Sequence, residues 1–195
     1  TGRTLVSPDG SVAFDWVGTY LETRFTGGKL SVKVSETGTS YYNVFVDGKL
    51  HKVVKVCGTD TLIHLVSGID KRIHSLKIQK RSEGEFGKTT VHQFVLSGSG
   101  RLAEEPAVRT RHIEFIGNSL TCGYGTDGKH RDEPFLVETE NCNLTFASMV
   151  ARYYDADYTL IAHSGRGAAR NYGDSVRVSK VTMKDRMLNT FDEDL

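Results

Sequence analysis

Ser119 occupies a position from which a serine hydroxyl could act as a nucleophile. It lies three residues after Ile116, the end of a short, largely apolar run, and Gly117 would allow a sharp exit from that run. Open parallel sheets bind ligands beyond the carboxyl ends of their strands. If a helical turn begins after Ser119, backbone N–H groups there could stabilise the oxyanion formed when the hydroxyl attacks an acyl carbon. The alternative is a serine that only caps a turn.

A second candidate segment, His-Ser-Gly-Arg-Gly at residues 163–167, follows the next apolar run. Glycine lets the backbone approach a ligand closely, so Gly167 could present its N–H group to the same oxyanion. The alternative is an ordinary glycine-rich loop. His163 could line a substrate pocket or be a common loop histidine.

Two short motifs contain the residue types of known functional signatures, but their positions in the chain do not fit those functions. Residues 127–130 read Asp-x-x-His, but His130 lies in a polar loop and is predicted to be solvated. A general base must come within roughly 2.6–3.2 Å of the hydroxyl that it deprotonates. Residues 123–128 read G-x-G-x-x-G, but the first glycine lies seven residues after Ile116 instead of at the end of the strand, as a dinucleotide site requires.

The elements that must position these residues form two regions, and the first is predicted to be all-β. Asp47-Gly48 lies between two alternating runs and predicts a two-residue hairpin. Other turns are predicted at residues 27–28, 37–38 and 58–60. Short strands at this spacing are typical of a β-sandwich or jelly roll. The predicted strands are Ser11–Trp16, Tyr20–Phe25, Lys29–Val34, Tyr42–Val46, Lys52–Val56, Thr61–Val66, His74–Lys80 and Val91–Leu96.

The composition changes after residue 100, where residues 101–106 predict a short linker that ends at a proline. We place a domain boundary there, between a β-sandwich domain at residues 1–106 and an α/β region at residues 107–195. Strands are predicted at His112–Ile116 and Asp157–Ala162.

A helix at Leu144–Tyr154, with Asn143 as its N-cap, separates the two strands of the α/β region. Strand, helix and strand in this order predict a parallel sheet. A further helix is predicted at Ser175–Leu188. Because a doubly wound domain needs more strands than two, we expect the sequence to be the front part of a longer protein.

The bulk composition excludes several classes of protein. The 195 residues carry a formal net charge of +1, which gives no reason to expect a nucleic-acid or anionic-membrane partner. The sequence contains no apolar run of membrane-spanning length and no signal-peptide pattern. Cys122 and Cys142 could pair, but they are predicted to be small buried groups. Neither their spacing nor that of the histidines suggests a metal site.

Several segments together resemble a known enzyme family. Residues 113–125, Ile-Glu-Phe-Ile-Gly-Asn-Ser-Leu-Thr-Cys-Gly-Tyr-Gly, resemble the first block of the SGNH, or GDSL-type, hydrolases. The Gly-Tyr-Gly at their end, residues 138–141 and residues 162–173 are similar to carbohydrate esterase family 2, the acetylxylan-type deacetylases. The order of a β-sandwich followed by a flavodoxin-like α/β domain is similar too.

The resemblance implies a serine esterase that removes acetyl groups from polysaccharide or oligosaccharide without a cofactor or metal. Ser119 matches the nucleophile, and the N–H groups of Ser119 and Gly167 match two donors of the oxyanion hole. Asn118 stands where the family usually has Asp, which we expect to alter local hydrogen bonding only. Trp16, Tyr41 and Tyr42 could stack on sugar rings or belong to the core.

Two elements of the family do not occur in the sequence: the third-block Asn and the general-base His of the last block. Without that histidine Ser119 is a weak nucleophile, so we expect these residues alone to be nearly inactive and the rest to be supplied by a missing C-terminal part. The resemblance also implies secretion, to the periplasm, the cell surface or the medium. The alternative is a carbohydrate-binding protein with a degenerate hydrolase domain.

Overall fold

The computed structural model describes residues 1–194, which form two separate sheets. A six-stranded antiparallel sheet comprises the strands up to residue 102, and a two-stranded parallel sheet follows. The strands are β1 (Leu5–Val6), β2 (Val12–Phe14), β3 (Tyr20–Val46), β4 (Lys49–Lys80), β5 (Thr89–Ser97), β6 (Arg101–Leu102), β7 (His112–Gly117) and β8 (Asp157–Ala162). The helices are α1 (Ser119–Cys122), α2 (Phe146–Tyr153) and α3 (Met183–Arg186), with short 3-10 turns at Gly84–Phe86, Val137–Thr139 and Cys142–Leu144.

The hairpin predicted at Asp47-Gly48 is confirmed and joins β3 to β4. Both turn residues have left-handed backbone angles, with φ values of 50° and 75°. Two successive residues of this kind make the type of turn whose twist matches that of paired strands. Val46 pairs with Lys49 on either side of the turn.

The prediction of many short strands is wrong, because six of them merge into β3 and β4. These strands span 27 and 32 residues, and their pairing resumes on either side of the turns predicted at residues 27–28, 37–38 and 58–60. The register shifts there mark bulges, and Gly28 and Gly58 have φ values of 81° and 79°. A bulge bends a strand without ending it, which explains why these turn signals do not separate strands.

The bent hairpin contributes to two groups of strands around one apolar core. Residues 42–46 pair with residues 49–54 and with residues 76–80, whereas residues 29–36 pair with β4 and with β5. The side chains from both groups that form this apolar core are Phe14, Phe25, Leu30, Val32, Val34, Tyr42, Val44, Val56, Leu65, Val66, Leu76, Ile78 and Val91. The jelly-roll order of the strands stays a prediction, as does the domain boundary.

Part of the predicted linker is a strand instead. Arg101 and Leu102 form β6, which pairs with Thr26 and Phe25 of β3. The backbone groups of this short segment therefore find partners at the edge of the sheet, and only the residues after it lack regular structure.

The parallel strands predicted in the second region are confirmed. β7 and β8 pair in parallel from His112 with Asp157 to Gly117 with Ala162. The helix between them, α2, begins later than predicted, and its N-cap is Thr145 instead of Asn143. Asn143 belongs to the preceding 3-10 turn, where its Oδ1 atom accepts a hydrogen bond from Arg152 at 2.8 Å.

The helix predicted at Ser175–Leu188 is largely wrong, since only α3 forms there. The Ser179 hydroxyl accepts a hydrogen bond from the Asn171 N–H at 2.9 Å and itself donates to Asp174. Such local side-chain bonds compete with helix formation. Thr182 and Asp185 form a capping box, which begins α3 at Met183.

Buried side chains of the β region pack against buried side chains of the α/β region. Val17 and Tyr20 pack with Cys122, Cys142 and Leu160 of the α/β region, and Trp16 packs with Ile161 and Met183. Trp16 is therefore a core residue and not a platform for sugars. Both cysteines are free and buried. Within residues 1–194 no helix is long and apolar enough to cross a membrane.

Candidate active site

Ser119 is the first residue of α1, immediately beyond the carboxyl end of β7. The carbonyl group of Asn118 accepts hydrogen bonds from the N–H groups of Thr121 and Cys122 at 2.8 and 3.0 Å. The Asn118 side chain accepts a third, from Leu120 at 3.1 Å. Asn118 thus caps the turn through an oxygen atom, which an aspartate would also provide.

Glycines on both sides of this turn allow its tight geometry. A Cβ atom on Gly117 would overlap the Thr121 side chain, and one on Gly123 would overlap the backbone of Asn141. Gly123 also ends α1 with a left-handed φ of 85°. The close approach of the chain therefore places Ser119 at a sharp, well-defined turn.

Ser119 and Gly167, the two candidate residues of the sequence, line the same open cleft, whose volume is about 580 Å³. Within residues 1–194 we find no hydrogen-bond partner for the Ser119 hydroxyl. The cleft is lined by Glu85, Asn118, Ser119, Tyr124, Ser164, Gly165, Arg166, Gly167, Arg170 and Tyr172. The parallel pairing of β7 with β8 brings the two loops together, and the chemical roles of the two residues remain predictions.

The N–H and the carbonyl group of Gly167 both form hydrogen bonds. Its N–H donates to Asn171 Oδ1 at 3.2 Å, and its carbonyl accepts from Met183 at 2.9 Å. A Cβ atom here would overlap the carbonyl of Arg170, so the position requires glycine. An oxyanion at this N–H would have to share or replace the bond with Asn171.

His163 is buried beside the cleft instead of lining it. Its Nδ1 atom lies 2.8 Å from Asp192 Oδ2, and its Nε2 atom lies 3.9 Å from Glu85 Oε2. Burial disfavours the charged imidazole, but the hydrogen bond and the charge of Asp192 outweigh this and raise the pKa of His163. His130 lines a different pocket, next to Tyr124.

A buried polar cluster connects the β region with the α/β region, and the sequence analysis missed it. We call its members, Asn43, Lys80, Arg81, Glu83 and Glu140, the polar junction; all are at most 2% exposed. Lys80-Arg81-Ser82-Glu83 looks like an ordinary solvated turn at the end of a strand, and no sequence signal marks it as buried.

Arg81 makes the most contacts in the polar junction. Its guanidinium group donates to the Glu140 carbonyl at 2.6 Å, to Asn43 at 3.2 Å and to the Glu138 carbonyl at 3.1 Å. It also forms an ion pair with Asp127, a residue of the Asp-x-x-His sequence considered above. A buried guanidinium in four such contacts connects the strands to the loop that follows α1.

Glu83 reaches from the polar junction to the second loop of the cleft. Its carboxylate accepts hydrogen bonds from the Ser164 N–H, at 2.5 Å, and from the Ser164 hydroxyl. Its own N–H donates to Glu140 at 2.9 Å. Burial, and next the adjacent Glu83 carboxylate, raise the pKa of Glu140 well above its ordinary value.

Two groups of residues have side chains of the types that bind metals: Glu83, Cys122 and Glu140, and His163, Asp192 and Glu193. In the second group, Arg186 already contacts Asp192 at 3.1 Å and Glu193 at 2.9 Å. A cation would have to displace this guanidinium, so the arrangement is that of an ion-pair network.

The sequence and the fold both match known proteins. Residues 1–106 match the family model described as Carbohydrate esterase 2 N-terminal. The chain is 35% identical over 158 residues to the cellulase/esterase CelE of Acetivibrio thermocellus, covering 81% of this chain and 19% of that protein. It is 31% identical over 199 residues to an acetylxylan esterase / glucomannan deacetylase of Cellvibrio japonicus, covering 98% of this chain and 54% of that protein.

A solved structure shows the same fold. A family two carbohydrate esterase from Clostridium thermocellum, in complex with cellohexaose, superposes with a TM-score of 0.90 at 33% identity. The match covers 97% of this chain and 57% of that one. The chain thus spans about half the length of the Cellvibrio protein and of this structure, and a smaller share of CelE.

Proposed function

The chain belongs to carbohydrate esterase family 2, and on that premise we propose that the full-length protein is a serine esterase that removes acetyl groups from polysaccharide or oligosaccharide. The observation that carries the proposal is the common cleft of Ser119 and Gly167 at the carboxyl ends of β7 and β8. This is where parallel sheets bind their ligands. The acetylxylan esterase among the relatives supports the substrate class.

In this mechanism the Ser119 hydroxyl attacks the carbonyl carbon of an acetyl ester. The N–H groups of Ser119 and Gly167 stabilise the oxyanion, and the sugar hydroxyl leaves as the acetyl-enzyme forms. Water then attacks the acetyl-enzyme and releases acetate. For Gly167 to take part, its bond with Asn171 must be shared or released when the substrate binds.

We further propose that the remaining machinery, a general-base histidine and an oxyanion-hole asparagine, comes from residues outside these 195. The length of the relatives supports this, as do exposed apolar side chains on the α/β region. Ile116 of β7 and Phe146 and Met149 of α2 are 50–55% exposed, and β7 pairs only with β8 among the described residues. A larger sheet with further helices would cover these groups.

We propose the following domain organisation, cofactor requirement and location for the full-length protein. Residues 1–106 would form a jelly-roll sandwich, and residues 107–195 would form the first part of an SGNH-type hydrolase domain. Catalysis would need no cofactor. The polysaccharide substrate implies a secreted, periplasmic or cell-surface protein.

The test is ester hydrolysis by the full-length protein and its Ser119→Ala variant, with p-nitrophenyl acetate and acetylated xylan as substrates. Loss of the nucleophile should lower kcat by at least about 10³-fold. Ser99→Ala, which changes an exposed serine in the loop before β6, is the matched control and should retain full activity. Equal activity of the Ser119→Ala variant and the wild type would refute the assignment.

A second function, carbohydrate binding without turnover, is favoured by two observations at the cleft. Asn118 replaces the usual Asp, and the Gly167 N–H is already engaged by Asn171. Calorimetric binding of oligosaccharides, with no acetate release from their acetylated forms by the full-length protein, would support this function over the esterase.

A further inference from the structure

We propose that Glu83, a buried residue of the β region, is a positioning residue for the Ser119 cleft. Its side chain does not line the cleft, and it acts by holding the two loops that form the cleft. The proposal rests on the proposed function for its kinetic consequence, but not for its structural one.

The first loop that Glu83 holds is the one after β8. The two oxygen atoms of its carboxylate accept separate hydrogen bonds from the N–H and the hydroxyl group of Ser164. Ser164 lines the cleft and lies three residues before Gly167. Two charge-assisted bonds to a single residue fix both the position and the orientation of the loop.

Glu83 also lies beside the turn that carries Ser119. Cys122 is the last residue of α1, and its sulfur lies within 4.8 Å of a carboxyl oxygen of Glu83 and of Glu140. All three residues are fully buried. One carboxylate therefore faces both the Ser119 turn and the Ser164 loop.

The carboxyl groups of Glu83 and Glu140 have different hydrogen-bond partners. The Glu83 N–H donates to Glu140 Oε2, whereas Glu140 Oε1 is buried without an identified partner within residues 1–194. Two ionised carboxylates at this separation in a buried site would repel strongly, so one of them keeps a proton. Glu83 accepts both Ser164 bonds, and burial raises the pKa of Glu140, so we assign the proton to Glu140.

This difference defines a matched pair of substitutions in the full-length protein. Glu140→Gln replaces a neutral acid with an amide of the same shape, and kcat should fall no more than about threefold. Glu83→Gln leaves only one of the two acceptor oxygens for Ser164. Loss of a hydrogen bond to a charged group should lower kcat by about 10- to 100-fold with little change in KM. Glu105→Gln, at an exposed site, should leave both constants unchanged.

Ser164→Ala tests the contact between Glu83 and Ser164 by changing the donor residue. It removes the hydroxyl bond to Glu83 and keeps the N–H bond, so it should lower kcat less than Glu83→Gln does. In the double variant the two effects should not add, because both changes break the same contact. Full additivity would overturn the proposal.

Hydrogen exchange provides a readout that does not depend on esterase activity. In Glu83→Gln, the amides of residues 118–123 and 163–167 should exchange at least about tenfold faster than in Glu140→Gln, with β5 unchanged. If the wild type hydrolyses no ester, the proposed function fails while this comparison still decides the role of Glu83. Equal exchange in the two variants would overturn the positioning role.

Discussion

The apolar core of the β region and the polar junction are equally buried but differ in chemistry. The core consists of aliphatic and aromatic side chains from β2 to β5, whereas the junction contains an ammonium, a guanidinium and two carboxyl groups. Apolar burial is non-directional and contributes stability roughly in proportion to area. Buried charged groups depend on geometry, so they contribute to position more than to stability. The comparison suggests that the core holds the fold together and the junction shapes the cleft.

Arg81→Leu should produce the largest effect and tests the junction directly. It removes the donor to the Glu140 and Glu138 carbonyl groups and to Asn43, whereas Asp127 keeps a hydrogen bond from Asn141. Loss of the buried donor leaves the Glu140 carbonyl and Asn43 Oδ1 unpaired, which should reduce the free energy of unfolding by about 3–5 kcal/mol and should also lower activity, whereas the partly exposed Asp127 carboxylate contributes little. Urea denaturation and ester hydrolysis by the full-length protein measure both. A variant that loses stability but keeps wild-type kcat would show that the junction does not shape the cleft.

Leu65→Ala provides the counterpart in the apolar core. Leu65 is fully buried between the two groups of strands. The cavity should reduce the free energy of unfolding by about 2–4 kcal/mol, while kcat at 25 °C stays within about twofold of the wild type. The same two measurements apply, and a loss of kcat comparable to that of Arg81→Leu would remove the distinction between the two regions.

The pair of His163 with Asp192 should show a smaller, pH-dependent effect. Because the pKa of His163 is raised in the folded state, its contribution is complete below the unfolded value of about 6.5 and is lost as the pH rises through the folded pKa. The difference in unfolding free energy between the wild type and His163→Gln should therefore be larger at pH 6 than at pH 9.

Urea titrations of both proteins across this pH range measure the difference for His163. His130→Gln, which removes an exposed imidazole, controls for the loss of a histidine. If the difference in unfolding free energy between the wild type and His163→Gln stays constant or grows with pH, the pKa of His163 is not raised in the folded state.

Gly48→Ala should produce the smallest effect, at the tip of the hairpin and far from the junction. The position has a φ of 75° and open space around it, so the cost is that of the left-handed backbone alone. We expect a loss of about 1–2 kcal/mol in unfolding free energy with unchanged kcat. A change in kcat would show that the β region influences the cleft by a route other than the junction.

Local patterns predicted several elements correctly. Asp47-Gly48 predicted its hairpin because both residues tolerate left-handed angles, and the apolar runs predicted β7 and β8. Other elements were mispredicted because distant or competing contacts decide them. The glycines near residues 28 and 58 bend strands that remain paired. The polar side chains of residues 171–182 bond to the local backbone and to one another instead of allowing a longer helix.

The sequence by itself determined that a serine and a glycine follow two parallel strands, since residue types and periodicity are local properties. It therefore indicated Ser119 and Gly167 as neighbours at one edge of a sheet. Only the tertiary structure decided that Arg81 and Glu83, which look like residues of a solvated turn, are buried against the α/β region. Whether a charged side chain is buried depends on the partners that the fold brings to it. The partners of Arg81 and Glu83 in the α/β region lie 46–81 residues away along the chain.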